Sequence, residues 1–203
     1  MNDTEKSSPA SPKSPTINLQ LFCASPNDLR AWLCTPFQIN GKTYASNGRI
    51  LVETEGGDHP GAPTEKVQPI LDVLDRIPAE GYQALPPIPA PKVAPCRVCD
   101  GRGDRQTCQS CGGLGVFEHY GKGYACKCCD SHGHFDGPCH YCNASGRVDI
   151  SLPVRIGDAH FQRLYLSLIA QLPTPLFAPG PRSGEVAGFT FQGGRGALMP
   201  LYP

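Results

Sequence analysis

Four cysteine units follow one another in the middle of the chain: CRVCDGRG at residues 96–103, CQSCGGLG at 108–115, CKCCDSHG at 126–133 and CHYCNASG at 139–146. Each unit begins with CxxC and has glycine at its eighth position. Two thiolates separated by two residues can bind one tetrahedral zinc ion, with bonds of about 2.3 Å, while the chain turns around the metal. A glycine after the second cysteine lets the backbone adopt a positive φ and turn its amides toward the sulfur atoms. The pattern therefore predicts a zinc-binding module.

The number of thiolates predicts how many ions are bound. Four CxxC units supply eight ligands, enough for two closed four-cysteine sites and thus for two Zn²⁺ per chain. A closed site leaves no coordination position for water, so we expect both ions to be structural. In the CKCC unit we favour Cys129 over Cys128, because Cys129 keeps the CxxC spacing and the distance to Gly133. The predicted ligands are Cys96, Cys99, Cys108, Cys111, Cys126, Cys129, Cys139 and Cys142.

The distribution of cysteine favours metal over disulfides. Nine of the 11 cysteines fall within residues 96–142, and the polar N-terminal segment lacks the apolar core of a secretory signal. Clustered cysteines without a secretion signal indicate metal binding. No window approaches the roughly 18–20 apolar residues of a membrane helix. We therefore expect a cytoplasmic protein without a membrane partner.

The four units resemble the cysteine-rich domain of DnaJ-type co-chaperones, which carries four CxxCxGxG repeats. The resemblance implies that the first and fourth repeats share one zinc ion and that the second and third share the other. It also implies an extended module of short β-hairpins that binds unfolded or extended protein segments. Carried over, zinc 1 has the ligands Cys96, Cys99, Cys139 and Cys142, and zinc 2 has Cys108, Cys111, Cys126 and Cys129.

Several features depart from that family. Ser131 and Ala144 replace the first glycine in the third and fourth repeats, and the first two repeats lie close together. An adjacent pairing, first with second and third with fourth, therefore remains open. The chain also contains no His-Pro-Asp tripeptide and no J-domain-like helical hairpin. We expect a zinc module that does not stimulate a chaperone ATPase.

The segments on either side of the repeats predict a small α+β domain. Before the repeats we predict a strand over residues 16–22, a helix from Ser25 to about Leu33, a hairpin around Asn47-Gly48 and a helix over 64–76. After them we predict a strand over 148–156, a helix from an Asp158 cap to Leu172 and a hairpin around Gly193-Gly194.

Neither flank is long enough to bury much surface alone, which favours one discontinuous domain. We assign residues 1–15 to a disordered leader and residues 16–85 plus 148–203 to the α+β body. Residues 86–95 form a proline-rich connector, and residues 96–147 form the inserted extended β-hairpin zinc module. Two independent small domains are the alternative.

A second resemblance concerns this body. YASNGRILVET at residues 44–54 and GFTFQGGRGALMPLYP at 188–203 resemble strand segments of sliding-clamp-type domains. The resemblance implies a clamp-like accessory protein in DNA replication or repair, for example a phage-encoded one. The chain has 18 basic and 18 acidic residues, a balance that does not indicate a DNA-binding surface. A DNA partner is therefore possible but not favoured.

The aromatic residues of the module suggest two roles. They can form a groove for an extended peptide or single-stranded nucleic acid, or they can pack over the metal sites as a substitute core. We favour packing. The aromatic residues are Phe117, Tyr120, Tyr124, Phe135 and Tyr141, interleaved with Lys122 and Lys127.

These observations give one leading hypothesis and two alternatives. We expect a non-enzymatic zinc protein that binds a protein or peptide partner, as a chaperone-like protein or an adaptor, and we find no catalytic pattern. The alternatives are the clamp-like accessory protein and a thiol-disulfide oxidoreductase with Cys128 as its reactive thiol. The sequence leaves the oligomeric state open, and we expect His132 and His134 to be exposed loop residues.

Overall fold

The computed structural model describes residues 17–201 except Asn27, His140 and Asn143, so the predicted leader lies outside the described residues. The chain divides into two compact units. The first comprises the described residues up to Pro89 together with those from Pro153 onward. The second is Ala90–Leu152.

Strands dominate the described part of the chain, with two α-helices: α1 (Thr64–Asp75) and α2 (Arg163–Ile169). The strands are β1 Phe37–Ile39, β2 Lys42–Ser46, β3 Ile50–Glu55, β4 Gln83–Ala84, β5 Val93–Pro95, β6 Arg105–Thr107, β7 Val116–His119, β8 Lys122–Ala125, β9 His134–Asp136, β10 Arg147–Asp149, β11 Val154–Ile156, β12 Ala159–Phe161, β13 Leu176–Ala178, β14 Ala187–Phe191 and β15 Gly194–Leu198. Neither described helix is both long and apolar enough to cross a bilayer.

A seven-stranded antiparallel sheet forms the first unit, in the order β1-β2-β3-β15-β14-β13-β4. Strands β3 and β15 pair near its centre, with Ile50 opposite Leu198. This pair joins sequence that precedes the cysteine repeats to sequence that follows them. The first unit is therefore a small mixed α and β domain built from both flanks.

Alternate residues of β3 reach two separate apolar clusters. Ile50 and Val52 belong to the cluster that includes Leu166 of α2, whereas Leu51 belongs to the cluster that includes Leu74 of α1. Successive side chains of a strand point to opposite faces of its sheet. The sheet is thus covered by apolar residues on both faces, which gives the first unit its core.

The elements with strong turn or helix signals are confirmed. Asn47-Gly48 lies in the tight connection between β2 and β3, and α1 starts at Thr64 as predicted, with Ile70 and Leu74 buried. Strands β14 and β15 form the C-terminal hairpin. Because Phe191 pairs with Gly194, the turn residues there are Gln192-Gly193 rather than the predicted pair of glycines.

The two elements predicted at the start of the body are wrong. A 3₁₀ helix, Leu19–Phe22, replaces the predicted strand, because the Asn18 side chain accepts a hydrogen bond from the Gln20 amide and starts a helical turn. The predicted helix from Ser25 is reduced to a 3₁₀ turn at Ala31–Leu33.

The segment after the repeats is also organised differently from the prediction. The expected single strand over 148–156 is split into β10 and β11, which lie in different units. Asp158 does not cap a helix: with Gly157, whose φ is +62°, it lies in the turn between β11 and β12. Helix α2 therefore starts only at Arg163 and ends at Ile169, which is shorter than the predicted helix.

The second unit consists of three two-stranded antiparallel ribbons, β5–β10, β6–β9 and β7–β8. Strand β5 falls within the predicted proline-rich connector, so this unit starts before the first cysteine. Its buried hydrophobic residues are cysteines, with Val98 and Val148 partly buried against them. A unit with so little apolar core needs another source of stability.

Candidate metal centre

The structure gathers the eight predicted ligands into two groups, each buried and each with its sulfur atoms within 4.8 Å of one another. The groups join the first repeat to the fourth and the second to the third, which is the pairing that the DnaJ resemblance implies. The alternative, in which the first repeat pairs with the second and the third with the fourth, is not observed. The groups are Cys96, Cys99, Cys139 and Cys142, and Cys108, Cys111, Cys126 and Cys129.

Each repeat folds into the same tight turn around its second cysteine. In the first repeat the Gly101 amide donates to the Cys96 carbonyl at 3.0 Å, and the Gly103 amide donates to Cys99 Sγ at 3.3 Å. The other three repeats make the same amide–sulfur bond at 3.2–3.3 Å. Such bonds offset negative charge on a thiolate and orient it toward the metal.

Paired repeats are joined by reciprocal backbone hydrogen bonds. The Cys96 amide donates to the Gly146 carbonyl and the Cys139 amide donates to the Gly103 carbonyl, both over 2.8 Å. The second pair repeats the arrangement, with Cys108 bonded to Gly133 and Cys126 to Gly115 at 2.9 and 2.8 Å. Each four-cysteine group is therefore held by two local turns and by two bonds between them.

The sixth position of every repeat has a positive φ, whichever residue occupies it. Gly101 and Gly113 have φ values of 77° and 88°, while Ser131 and Ala144 have 63° and 61°. The left-handed region is strained for a residue with a Cβ, at about 1–3 kcal/mol. Ser131 and Ala144, which depart from the CxxCxGxG pattern, thus adopt the same turn conformation as the glycines but with local backbone strain.

The sulfur positions fit a tetrahedral metal ion. Four sulfur atoms at about 2.3 Å from a central zinc ion lie about 3.8 Å apart. The Sγ atoms of Cys96 and Cys139 are 4.0 Å apart, and those of Cys99 and Cys142 are 3.7 Å apart. In the second group the corresponding distances are 3.9 and 3.7 Å. These distances exclude disulfides, whose sulfur atoms lie about 2.05 Å apart, and each group could hold one metal ion.

No protein-family model matches the chain, and no curated protein or solved structure is significantly similar to it. Two sets of four soft thiolate ligands in tetrahedral positions are the donor set that zinc prefers in structural sites.

The thiols of each group do not ionise equally. Burial opposes ionisation of Cys99, but the Gly103 amide and the neighbouring thiols outweigh it and lower its pKa to about 7. Burial raises the pKa of Cys142 in the same group to about 11. The second group shows the same split, with Cys111 at a pKa of about 7 and Cys126 at about 12. A bound cation would hold all four sulfur atoms of a group as thiolates.

The remaining candidate ligands lie outside both groups. Cys128 is exposed and lies outside the second group, whereas Cys129 is buried and belongs to it, as predicted. His132 contacts the Cys129 carbonyl at 3.0 Å, and His134 lies 3.4 Å from the Asp136 carboxylate. Neither histidine belongs to a ligand group. His132 is exposed as predicted, whereas His134 is partly buried.

The aromatic residues of the second unit are exposed, so the favoured prediction that they pack over the metal sites is wrong. Tyr120 is 92% exposed and Tyr141 69%, while Phe117 is 39% exposed. Among the described residues of the second unit, the buried hydrophobic side chains are cysteines, and the aromatic rings do not join them. The exposed aromatic residues are Phe117, Tyr120, Tyr124, Phe135 and Tyr141.

The first unit contains a separate cavity of about 400 Å³, between α1 and the sheet. Its wall is mainly apolar and includes Trp32, Ile70 and Met199. Sequence analysis missed it, because the wall is assembled from four distant segments. Three cationic side chains also line it: Arg30, Arg49 and Lys66.

Proposed function

We propose that this protein is a non-enzymatic, zinc-stabilised binding protein whose second unit is a DnaJ-type module for extended segments of other proteins. The observation that carries the proposal is the exposure of aromatic side chains on ribbons anchored by the two buried cysteine groups. Exposed aromatic residues on a rigid support are typical of protein-binding surfaces. Cytoplasmic location is part of the same proposal, since reduced thiols persist there.

Zinc has a structural role in this proposal. The second unit buries hardly any apolar side chains besides its cysteines, so metal binding would supply much of its folding free energy. All four ligand positions of each ion would be filled by sulfur, which leaves none for water or substrate. The metal sites would therefore hold the ribbons in place and take no part in chemistry.

The burial of the cysteines argues against the thiol-disulfide oxidoreductase. The eight grouped cysteines are at most 7% exposed, whereas a thiol that attacks a protein disulfide must be accessible. Cys128 is exposed, but an exchange enzyme usually pairs its attacking thiol with a resolving one. The residues three positions before and after Cys128 are Ala125 and Ser131, so Cys128 has no CxxC partner, and the neighbouring Cys126 and Cys129 belong to the metal group.

A second candidate function is the clamp-like accessory protein of DNA replication or repair. The two segments that resemble sliding clamps form the adjacent strands β3 and β15, and both line the apolar cavity. This arrangement supports a body that engages a partner protein through the cavity. Binding to duplex DNA that weakens steeply between 50 and 200 mM salt would favour this candidate. Salt-independent or undetectable DNA binding would remove it.

Metal content and binding to an unfolded reporter, measured together, test the leading proposal. Native mass spectrometry should find two zinc ions per chain, and pull-down or anisotropy should detect binding to reduced, carboxymethylated α-lactalbumin. Cys108→Ser and Cys139→Ser should each lose metal and abolish this binding, while the matched variant Cys128→Ser should keep both. Reporter binding that survives loss of zinc would contradict the proposal.

A further inference from the structure

The ribbon β7–β8 lacks the features of a purely structural hairpin. All eight of its residues are exposed, and among the described residues neither strand pairs with a third. Both edges therefore present unpaired amides and carbonyls, which are a template for another strand. Natural proteins usually protect such edges, so two open ones suggest a use.

One face of the ribbon combines two aromatic side chains with one lysine and one histidine. Phe117 lies directly opposite Tyr124, and His119 lies opposite Lys122. Because residues two apart and residues directly opposite share a face, these four side chains form one strip. Glu118 points to the other face, so the strip contains no carboxylate.

The tip of the ribbon holds a bulky residue in a conformation that favours glycine or asparagine. Tyr120 has a φ of +49° and the following Gly121 has +70°, which is the pattern of a type I′ turn. The Tyr120 ring is 92% exposed, and its ring contact is with His119, at 4.4 Å between centroids. A strained, exposed aromatic residue at a hairpin tip points to recognition rather than folding.

We infer that β7–β8 binds an extended polypeptide as an added strand, and that it selects an acidic side chain two positions from a large apolar one. This inference rests on the proposed function and narrows it to one ribbon and one partner chemistry. The spacing follows from the strip. Phe117 lies two residues from His119 on β7, and Tyr124 lies two residues from Lys122 on β8. A strand added at the edge has the same period, so its apolar and acidic side chains must share a face.

Charge favours a polypeptide over single-stranded nucleic acid. The strip offers one lysine and one histidine, whereas a nucleic-acid groove follows the phosphate backbone with many cations. A zinc ion bound by four thiolates would add a net charge of about −2 at the second cysteine group, whose member Cys126 directly follows β8. Such a surface suits one carboxylate beside an apolar group better than a chain of phosphates.

Two labelled peptides of identical composition test the spacing. Both place phenylalanine in a serine- and threonine-rich background, with aspartate two positions later in the first and one position later in the second. The full-length zinc-loaded protein should bind the first peptide at least about tenfold more tightly, because only there do both side chains reach the strip. Equal affinity for the two peptides would overturn the inference.

Variants of the ribbon residues provide a second test of the inference. Phe117→Thr combined with Tyr124→Thr keeps strand propensity, and this pair should weaken binding of the first peptide by at least about tenfold. Lys122→Glu should shift preference to a peptide with lysine in place of aspartate. Leu152→Thr is the matched control, because Leu152 is an exposed apolar residue of the second unit outside the ribbon, and this variant should bind normally.

The outcomes separate this inference from the proposed function. If the unfolded reporter binds in a zinc-dependent manner but the ribbon variants bind it normally, the inference fails and the proposed function stands. If oligothymidine binds more tightly than either peptide and competes for Phe117 and Tyr124, the ribbon is a nucleic-acid site and the inference fails. If nothing binds once zinc content is verified, both fail.

Discussion

The backbone amide of Cys139 donates a hydrogen bond to the carbonyl of Gly103 over 2.8 Å, joining the fourth cysteine repeat to the first across 36 residues of sequence. The contact is so close that a Cβ on Gly103 would overlap the backbone carbonyl of Ala144. The pairing of repeats therefore depends on glycine at this position as well as on the metal ligands.

Gly103→Ala should consequently lose the first metal group. The clash is with backbone, which cannot move aside as a side chain can, and the φ of +82° is also unfavourable for alanine. We expect native mass spectrometry to find one zinc ion instead of two. Gly123→Ala is the control, because a Cβ there meets nothing within 4 Å, and it should retain both ions. Two ions in Gly103→Ala would show that the close approach is dispensable.

Ser131→Gly and Ala144→Gly should stabilise the second unit. Both residues hold positive φ values that the corresponding glycines of the other repeats adopt without strain. Each substitution should raise resistance to unfolding by about 1 kcal/mol. Zinc release to a competing chelator, followed during urea titration, measures this directly. Faster release from either variant would argue that the side chain has a role of its own.

Glu53→Gln should destabilise the first unit. The buried Glu53 carboxylate accepts hydrogen bonds from Arg195, Lys42 and Tyr44, each at 2.9 Å at its shortest. A neutral amide would leave the cations poorly paired, which should lower the free energy of unfolding by about 2 kcal/mol. Glu55→Gln is the control, since Glu55 is exposed and lies 3.6 Å from Lys42. Chemical denaturation that finds equal losses in the two variants would contradict this role.

The same carboxylate makes stability depend on pH. Burial raises the pKa of Glu53, but the bonds from Arg195, Lys42 and Tyr44 outweigh it, so the pKa lies below its ordinary value of 4.5. A group with a lowered pKa in the folded state contributes stability that is fully present above its unfolded pKa and is lost as the pH falls through the folded value. We expect stability of the first unit to fall below about pH 4.5, and less steeply in Glu53→Gln. Parallel pH profiles for the two proteins would exclude Glu53 as the cause.

Alkylation should distinguish Cys128 from the other cysteines. It is exposed, whereas the grouped cysteines are buried and would be bound to metal. Burial and the neighbouring Cys34 raise the pKa of Cys23 to about 11, so its thiolate is scarce at pH 8. Iodoacetamide followed by peptide mass spectrometry should therefore label Cys128 well before Cys23. Rapid labelling of Cys129 in zinc-loaded protein would mean that the two neighbours exchange as ligands.

The sequence predicted best where local chemistry determines structure. Asn47-Gly48 is a strong hairpin signal, and Gly48 adopts the positive φ of the turn between β2 and β3. The CxxC turns form around their own second cysteine. The choice between pairings could not be derived from spacing alone, because it depends on bonds such as that from Cys96 to Gly146. The resemblance to a known repeat family supplied that choice.

Predictions failed where a few side-chain or turn contacts outweighed hydrophobic periodicity. Residues 17–22 alternate like a strand, but the Asn18 side chain starts a helical turn that buries Phe22 and exposes Leu21. Asp158 resembles a helix cap, yet Gly157 turns the chain back into a hairpin. The exposure of the aromatic rings could not be foreseen, because the sequence does not reveal that the cysteines, with Val98 and Val148 partly buried beside them, supply the buried apolar groups of the second unit.

The central pairing of β3 with β15 has a consequence for the order of folding. Glu53 and Arg195 are neighbours in the sheet but 142 positions apart in sequence, and the whole second unit lies between them. During synthesis the second unit emerges complete while the sheet still lacks its C-terminal strands. Contacts over such long separations form slowly, whereas the ribbons and cysteine turns need only local ones. Until the last strand arrives, β3 exposes an open edge, and zinc captured early by the second unit shortens the effective loop that must close.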